Sequence, residues 1–294
     1  MRSNLIWRLV IYCLWAAANA YAQDRVLLSA QLVGQEFTHV VQPGESLTAV
    51  GARFGVGVTV LARANGLPSD ARLKIAQKLR IDNRHIVPQV SDGIVINIPQ
   101  RMLFQIKQGQ ALRAYAVGLG KQDWPTPTGR FKVTTKRENP VWGVPKSIQE
   151  EMEREGKTVE NCVPPGPDNP LGKHWLGLTA NGYGIHGTIA PSSIYQFQTH
   201  GCIRLHPDDI AELYNQVERG TPVLLIYRRW LVAHVGARIF LEVHGDIYSK
   251  QPEVEQELRR FAESEDLAAR IDWQLASDIM RKREGIARDI TRED

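Results

Sequence analysis

Cysteine is scarce in this sequence: 294 residues contain three, and one of them, Cys13, lies close to the N-terminus. So few cysteines exclude a small secreted fold that is held together by a disulfide framework. Long apolar runs are also absent. The longest, over residues 9–18, is shorter than the roughly 20 residues that a membrane-spanning helix needs. We therefore expect the chain to fold around hydrophobic cores of its own.

The first 22 residues have the order of a secretory signal peptide. Arg2 and Arg8 form a basic start, an apolar stretch follows, and Ala20 and Ala22 place small residues where cleavage occurs. We therefore predict export and cleavage after Ala22. The segment contains no acidic residue, so its removal lowers the net charge from +4 to +2. That mildly basic balance suits an anionic polymer as a partner.

The rest of the chain is long enough for two or three domains, since domains usually hold about 100–200 residues. Residues 38–82 form the first compact unit. Its features are, in chain order, a strand at 38–41, a Pro-Gly turn at 43–44, a helix with apolar residues at 47, 50 and 54, a second helix capped by Thr59, an Asn-Gly stop at 65–66 and a strand at 79–81. The pattern predicts a strand–helix–helix–strand unit.

This unit resembles a LysM domain, with Val-Gln-Pro-Gly-Glu-Ser-Leu at 41–47 and Ala-Asn-Gly-Leu at 64–67. The family binds glycans that contain N-acetylglucosamine, and the resemblance implies glycan contacts at Gly44, Glu45 and Asn65. The family usually has glycine where Ala76 stands. Because alanine disfavours a positive φ, we expect a differently built turn there. A packing module without glycan affinity is the alternative reading.

Beyond a polar linker, residues 93–228 are rich in short branched and aromatic runs that are separated by turn residues. These runs lie at 94–98, 102–106, 112–117, 131–135 and 222–227. Strands this close together predict hairpins in an antiparallel sandwich or barrel. Short helices are predicted at 149–156 and from Asp208 to Gly220. The expected fold class is thus mainly β with short helices: a small βααβ domain followed by a β-sandwich domain.

Residues 229–294 form a C-terminal extension of different composition. The run from Phe240 to Val243 predicts one more strand, and residues 253–283 are charge-rich with a helical pattern. We expect a strand followed by a charged, solvated helix that packs on the preceding domain. The pattern assigns the extension no function.

Two short motifs in the second domain carry residues suited to nucleophilic chemistry. His186 opens His-Gly-Thr, and His200-Gly-Cys-Ile-Arg-Leu follows eleven residues after that motif. A thiol at Cys202 needs a base, because free cysteine titrates near 8.5. Either histidine offers an imidazole, and Arg204 adds positive charge that lowers a thiol pKa. Gly201 leaves room for a carbonyl substrate and for N–H groups that stabilise an oxyanion.

Three other interpretations of these residues remain open. Cys202 is a buried structural residue in the first. In the second, a zinc ion is held by His186, His200, Cys202 and His206, although structural zinc ligands usually come as closely spaced pairs. In the third, Cys162 and Cys202 form a disulfide, which would close a loop of about 40 residues.

The complete pattern, His-Gly-Thr followed by Thr-His-Gly-Cys-Ile-Arg-Leu, resembles the signature of the YkuD-type L,D-transpeptidases. The resemblance implies a catalytic domain at 93–228, with Cys202 as nucleophile and His186 as general base. It also implies that the Gly187 carbonyl orients the His186 ring. His200 would support the site, and the N–H groups of Gly201 and Cys202 would stabilise the oxyanion.

Three further residues are expected at the substrate. The resemblance implies that Arg204 either binds a substrate carboxylate or braces the loop. Thr199 stands where the family often has serine and keeps the hydroxyl. Tyr195 stands where the family often has glycine, and we expect it to narrow the cleft or to line the path of the acceptor. Cys162 could be a free bystander, the partner of Cys202 in an inactivating disulfide, or the site of an intermolecular crosslink. We favour the free bystander, because an enzyme locked as a disulfide could not turn over without a reductant.

A LysM domain before this catalytic domain resembles the periplasmic group of Gram-negative bacteria. The resemblance implies attack on the bond between meso-diaminopimelate and D-alanine in a peptidoglycan tetrapeptide stem. The thioester would pass to a stem amine or to a lysine of an outer-membrane lipoprotein; no cofactor or metal is implied. A hydrolase that cuts lipoprotein links with the same cysteine is one alternative. A non-catalytic wall-binding protein is the other.

Overall fold

The computed structural model describes residues 28–180, 182–250 and 254–293. The predicted signal peptide lies outside the described residues. The strands are β1 (Leu28–Ser29), β2 (Leu32–Val33), β3 (Glu36–Val40), β4 (Lys78–Asp82), β5 (His85–Ile86), β6 (Gly93–Asn97), β7 (Met102–Lys107), β8 (Gln110–Ala116), β9 (Leu119–Gly120), β10 (Gly129–Glu138), β11 (Trp142–Gly143), β12 (Cys162–Val163), β13 (His174–Leu178), β14 (Gly184–His186), β15 (Phe197–Thr199), β16 (Ile203–Arg204), β17 (Pro222–Ile226), β18 (Trp230–Val235), β19 (Arg238–Val243) and β20 (Arg288–Asp289). The α-helices are α1 (Leu47–Phe54), α2 (Val58–Ala64), α3 (Lys146–Arg154), α4 (Pro207–Gln216), α5 (Val254–Ser264) and α6 (Trp273–Lys282).

The first unit has the predicted strand–helix–helix–strand order, and its two strands, β3 and β4, pair antiparallel. Ser46 caps α1 by accepting the Ala49 N–H at 3.2 Å, and Gly55 ends the helix with a φ of 71°. Gly57 precedes α2, and no side chain caps that helix. The predicted capping role of Thr59 was wrong, because this residue lies inside the helix.

The turn before β4 keeps a left-handed conformation although it contains no glycine. Ala76 has a φ of 65°, and its N–H donates to the Val41 carbonyl at 2.9 Å. Our expectation of a differently built turn was therefore wrong. The backbone hydrogen bond fixes the conformation, and alanine tolerates it at a cost of roughly 1–2 kcal/mol.

The second unit is built on one eight-stranded sheet in the order β16-β14-β13-β10-β17-β6-β7-β8. Most neighbours are antiparallel, but β17 pairs with β6, and β14 with β16, in parallel. The expectation of a purely antiparallel sheet was wrong at these two places, whereas the mainly-β class with short helices is confirmed. The parallel pairing of β14 and β16 matters most, because these strands carry the histidine and cysteine motifs.

The C-terminal extension is a packed unit of its own. β18 and β19 form a hairpin, β20 adds to β19, and β1 pairs in parallel with β18. α5 and α6 bury apolar side chains against this sheet: Val254, Leu258, Phe261, Ala276, Ile279 and Met280. The predicted strand at 240–243 is confirmed, since it lies within β19. The prediction of a single solvated helix was wrong, because two packed helices and two further strands occupy the extension. The charged residues cover only the outer faces of two helices.

A buried glutamate joins the three units. Glu242, on β19, lies 2.8 Å from His85 Nδ1 and 2.9 Å from His244 Nε2. It also accepts the N–H of Ile86 at 2.6 Å. The other ring nitrogen of His85 lies 3.0 Å from the carbonyl oxygen of Gly55, at the end of α1. Gln100, between β6 and β7, donates to Glu242 at 3.1 Å, so that the glutamate ties the extension to both other units.

Neither membrane spans nor metal clusters stand out in the described ranges. No single helix there is long and apolar enough to cross a bilayer; α1 and α2 reach the length and composition only together, across a bend of 106°. No group of three or more His, Cys, Asp or Glu side chains in those ranges is arranged to hold a metal ion. The four side chains of the zinc interpretation therefore do not form a site, and His206 instead caps α4.

Candidate active site

The pairing of β14 with β16 brings the two motifs together. In this parallel pair His186 lies opposite Arg204, and Ile185 lies opposite Ile203. Residues that face each other across neighbouring strands point to the same side of the sheet, and residues two apart along a strand do so too. Cys202, which directly precedes β16, therefore shares a face with Arg204 and His186.

The ring of His186 is held in one tautomer. Its Nδ1 lies 2.6 Å from the carbonyl oxygen of Gly187. A carbonyl only accepts, so Nδ1 carries the proton and Nε2 keeps its lone pair. Burial lowers the pKa of His186 to about 3, and the positive charge of Arg204 acts in the same direction. At neutral pH the imidazole is therefore uncharged and can accept a proton at Nε2.

A tryptophan that the sequence motifs did not reveal also orients this histidine. Trp175 lies opposite His186 on β13, and the two rings stack with centroids 5.8 Å apart and planes 22° apart. Gly184 makes room for the indole, because a Cβ at that position would lie 2.4 Å from Trp175 Cζ2. The sequence motifs could not reveal this contact. Trp175 reaches His186 only because of the register between β13 and β14.

Cys202 is half-buried, and its surroundings disfavour the thiolate. Burial raises the pKa of the Cys202 thiol above its ordinary value, and this outweighs the Gly184 N–H and the Arg204 guanidinium, which lower it. The thiol donates to the carbonyl oxygen of Gly182 at 3.6 Å. We expected Arg204 to lower the thiol pKa; it does so, but the net shift is upward because desolvation is larger.

The loop over residues 199–202, here called the Cys202 loop, is held by one hydroxyl. Thr199 Oγ1 donates to the carbonyl oxygen of Cys202 at 2.7 Å and accepts the N–H of Gly201 at 3.1 Å. The Gly201 N–H is therefore occupied and is not a free oxyanion donor, which corrects our expectation. Thr199 is buried, so it shapes the loop and does not itself face a substrate. The Cys202 N–H has no hydrogen-bond partner in the described part of the chain.

Glycine at position 201 is required by the backbone and by a neighbouring ring. Gly201 has a φ of +102°, and a Cβ there would lie 2.6 Å from Tyr183 Cε1. A larger residue would therefore shift the aromatic ring or the Cys202 loop.

His200 has a carboxylate partner from the exposed helix α3. Its Nε2 lies 2.7 Å from Glu151 Oε2, and the same carboxylate pairs with Lys121 at 2.9 Å. Trp124 packs on the His200 ring at 5.3 Å. Burial lowers the pKa of His200, although Glu151 raises it. Glu151 gave no sequence signal, because its helix reads only as a charged surface helix.

Arg204 is a largely buried guanidinium without a carboxylate partner among the described residues. Among the described residues its side chain makes one hydrogen bond, from Nη1 to Ser193 Oγ at 3.4 Å, and its Nε has no partner there. A buried charge normally has an anionic partner. The unpaired guanidinium therefore suits an anion that enters the site from outside.

The Tyr195 side chain lies away from Cys202, His186 and Arg204. Its side chain is 4% exposed and packs near His85, with the Arg101 guanidinium 3.9 Å from its ring centroid. Arg101 also donates to the Tyr195 carbonyl oxygen at 2.9 Å. The expectation that Tyr195 lines the cleft was wrong, because the ring faces the junction with the first unit.

Two of the residues expected to contact glycan are used inside the first unit. Glu45 lies 2.7 Å from His39 Nε2 and accepts the N–H of Gln42. The Asn65 amide bonds both backbone groups of Arg80. These side chains brace the two loops, and Gly44 supplies a positive φ of 83° in the first of them.

Cys162 and Cys202 are both free thiols. Cys162 is exposed on β12, opposite Gly143 of β11. The disulfide interpretation is thus not realised in this structure.

Comparisons with known proteins establish the family. The model of the L,D-transpeptidase catalytic domain, YkuD, matches residues 91–225, and the LysM domain model matches residues 39–82. The probable L,D-transpeptidase YcfS of Escherichia coli strain K12 is 33% identical over 276 residues, covering 90% of this chain and 86% of that protein. The probable L,D-transpeptidase ErfK/SrfK of Salmonella typhimurium is 31% identical, covering 89% and 88%. The chain belongs to the L,D-transpeptidase family and is an enzyme of that class.

Solved structures of L,D-transpeptidases are more distant. One from Mycobacterium smegmatis matches 68% of this chain and 98% of that chain, at 18% identity and a TM-score of 0.37. The catalytic domain from the E. faecium L,D-transpeptidase acylated by ertapenem matches 47% and 98%, at 24% identity and a TM-score of 0.36. Similarities of this size carry no argument about function.

Proposed function

We propose that this L,D-transpeptidase works by cysteine acyl transfer, with Cys202 as the nucleophile and His186 as the general base. The observation that carries the proposal is the contact between His186 Nδ1 and the Gly187 carbonyl. It leaves Nε2 as the acceptor on the sheet face that Cys202 shares. A backbone carbonyl thus takes the orienting role that a carboxylate has in other triads.

The pKa shifts favour a neutral resting pair. The thiol pKa is raised and the imidazole pKa is lowered, so a thiolate–imidazolium pair is not the ground state. His186 Nε2 takes the thiol proton as the sulfur attacks the carbonyl carbon between diaminopimelate and D-alanine. The resulting oxyanion is stabilised by the Cys202 N–H, which has no partner among the described residues. Collapse of this intermediate breaks the amide bond, and His186 gives the proton to the departing D-alanine amine.

The second half of the reaction consumes the thioester. An amine attacks its carbonyl carbon, loses a proton to His186, and the Cys202 thiol is restored as the new amide forms. A diaminopimelate amine of a second stem would give a crosslink, and a lysine of an outer-membrane lipoprotein would give an anchored protein. Water as the acceptor would give hydrolysis. The stem amine is the acceptor that we propose.

Arg204 is proposed to bind the carboxylate of the departing D-alanine or of the stem. Its guanidinium lies beside Cys202 and lacks an anionic partner among the described residues. An Arg–carboxylate pair in a partly desolvated site is a strong, orienting interaction. Burying this charge for structural reasons alone would be unfavourable.

The first domain is proposed to hold the enzyme on the glycan strands of peptidoglycan. Support comes from the LysM match and from the intact βααβ unit. Since Glu45 and Asn65 are used internally, glycan would contact the loops that these side chains brace. The periplasm is the proposed site of action, and a peptidoglycan substrate and the signal-like segment at residues 1–22 support it.

Mass spectrometry of purified sacculi tests this function. Sacculi are incubated with the mature protein, with and without a lipoprotein C-terminal peptide. The masses of the fragments are then measured after digestion. We expect stem-to-stem crosslinks formed with loss of D-alanine, and none with Cys202→Ala. Crosslinks formed equally by the Cys202→Ala protein would refute the mechanism. Products that contain the peptide, or only hydrolysed stems, would reassign the acceptor.

A further inference from the structure

Tyr248, in the C-terminal extension, contacts the catalytic domain at Gly120 and Thr126. It lies in the segment that follows β19. Its hydroxyl donates to the Gly120 carbonyl oxygen at 2.6 Å and accepts the N–H of Thr126 at 3.1 Å. The side chain is only half-buried, yet the hydroxyl satisfies two backbone groups of another unit.

Thr126 carries this contact to the residue before Cys202. It is fully buried; its Oγ1 donates to the Gly201 carbonyl oxygen at 3.0 Å and accepts the Gly120 N–H at 2.9 Å. The spacing is tight, since a Cβ on Gly120 would lie 3.0 Å from Gly201 Cα. Movement of Thr126 would therefore be transmitted to the Cys202 loop.

The ring of Tyr248 is held by aromatic neighbours. It stacks on Tyr227, with centroids 5.5 Å apart, and meets Phe197 edge-on at 6.0 Å. Phe197 belongs to β15, the strand that leads into the Cys202 loop at Thr199. The backbone N–H of Tyr248 donates to the Tyr227 hydroxyl at 3.0 Å. The backbone, the ring and the hydroxyl of Tyr248 are thus all held by contacts.

We propose that Tyr248 is a positioning residue for acyl transfer, which holds the backbone beside Cys202 through Thr126 and Gly201. The proposal rests on the function proposed for Cys202 and gives the C-terminal extension a part in catalysis. Tyr248 touches no reacting atom. Its effect comes from fixing the Cys202 N–H and the sulfur in one geometry, and small misplacements of reacting groups cost large factors in rate.

The test is Tyr248→Phe in the full-length mature protein, because this change removes only the hydroxyl. Ertapenem serves as the acylating probe, and mass spectrometry follows adduct formation with time. We expect the acylation rate constant to fall about tenfold, because the backbone beside Cys202 is then held less firmly in the reactive geometry. The final amount of adduct should stay unchanged. For a tetrapeptide stem, kcat should fall while KM stays constant.

Tyr214→Phe is the matched control. The contacts of Tyr214 with the described residues are made by its ring, which packs on His174 at 4.7 Å, and not by its hydroxyl. Its variant should therefore acylate at the wild-type rate. A Tyr248→Phe protein with the wild-type rate constant would refute the proposal. A lower final amount of adduct with an unchanged rate constant would also refute it, because that result indicates partial unfolding. Absence of any Cys202 adduct in the wild-type protein would instead refute the proposed function.

Discussion

Thr199 and Cys202 are joined by a hydrogen bond of 2.7 Å, from the threonine hydroxyl to the cysteine carbonyl oxygen. The same hydroxyl accepts the Gly201 N–H. One small side chain therefore fixes the peptide group that precedes Gly201 and the peptide group that follows Cys202. The Cys202 N–H has no hydrogen-bond partner among the described residues and is left as a donor for a substrate oxygen.

Thr199→Val should therefore slow catalysis, although the two side chains are almost equal in volume. Valine keeps the shape of threonine but leaves a buried N–H and a carbonyl group without their partner, at a cost of about 1–3 kcal/mol in the free energy of unfolding. We expect acylation of Cys202 to slow by about tenfold. Thr199→Ser, which keeps the hydroxyl, is the control and should retain most of the rate. Equal acylation rates in the valine and serine variants would contradict this account.

The protonation state of Cys202 can be measured by alkylation. Because burial raises the thiol pKa, we expect the reaction of iodoacetamide with Cys202 to increase with pH up to an apparent pKa above that of an ordinary cysteine. The experiment needs a Cys162→Ser background, since Cys162 is exposed and would also react. His186→Ala should leave this profile almost unchanged while turnover falls roughly 10²–10⁴-fold. A low thiol pKa that rises in His186→Ala would instead indicate a thiolate–imidazolium pair.

The contiguous motifs made part of the site predictable. Cys202, His186 and Arg204 stand within two short motifs, and the parallel pairing of β14 with β16 brings these motifs together. Trp175, Glu151 and Tyr248 come from three distant segments. Their contacts depend on strand register and on packing between units, which no local pattern contains.

The extension shows the same limit of sequence reasoning. Leu258, Phe261 and Ala262 recur at the spacing of a buried helix face, but the charged residues between them dominate the composition. The prediction of a solvated helix was based on this composition and missed the apolar face that packs on the sheet. The antiparallel expectation for the sheet failed for a related reason, because the partner of β17 is β6, more than 100 residues earlier in the chain.

Ala76 offers a test of backbone strain in the LysM domain. Ala76→Gly should raise the free energy of unfolding by about 0.5–1 kcal/mol, since the strain of a left-handed alanine exceeds the extra chain entropy of glycine. Gly66→Ala is the matched control, because Gly66 has the same φ of 65° and open space around its Cβ position. It should lower the stability by a similar amount. Urea unfolding measures both, and a destabilising Ala76→Gly would show that the turn is not strained.

The buried cluster of Glu242, His85 and His244 makes the free energy of unfolding depend on pH. Glu242 is fully buried, and its two histidine neighbours lower its pKa to about 2 despite the desolvation that raises it. A carboxyl group whose pKa is lowered by folding stabilises the fold above its unfolded pKa of about 4.5. This contribution is lost as the pH falls from 4.5 towards 2.

Glu242→Gln removes that charge while keeping the shape of the side chain. At pH 7 the variant should be less stable by roughly 3–5 kcal/mol, as expected when one partner of a buried pair is lost. Between pH 4.5 and 2 the wild-type protein should lose stability faster than the variant, so that the two converge. Chemical unfolding at pH 7, 4.5 and 3 measures the difference. A constant difference over this range would mean that Glu242 is not ionised in the folded protein, and that the junction is held by neutral hydrogen bonds to His85 and His244.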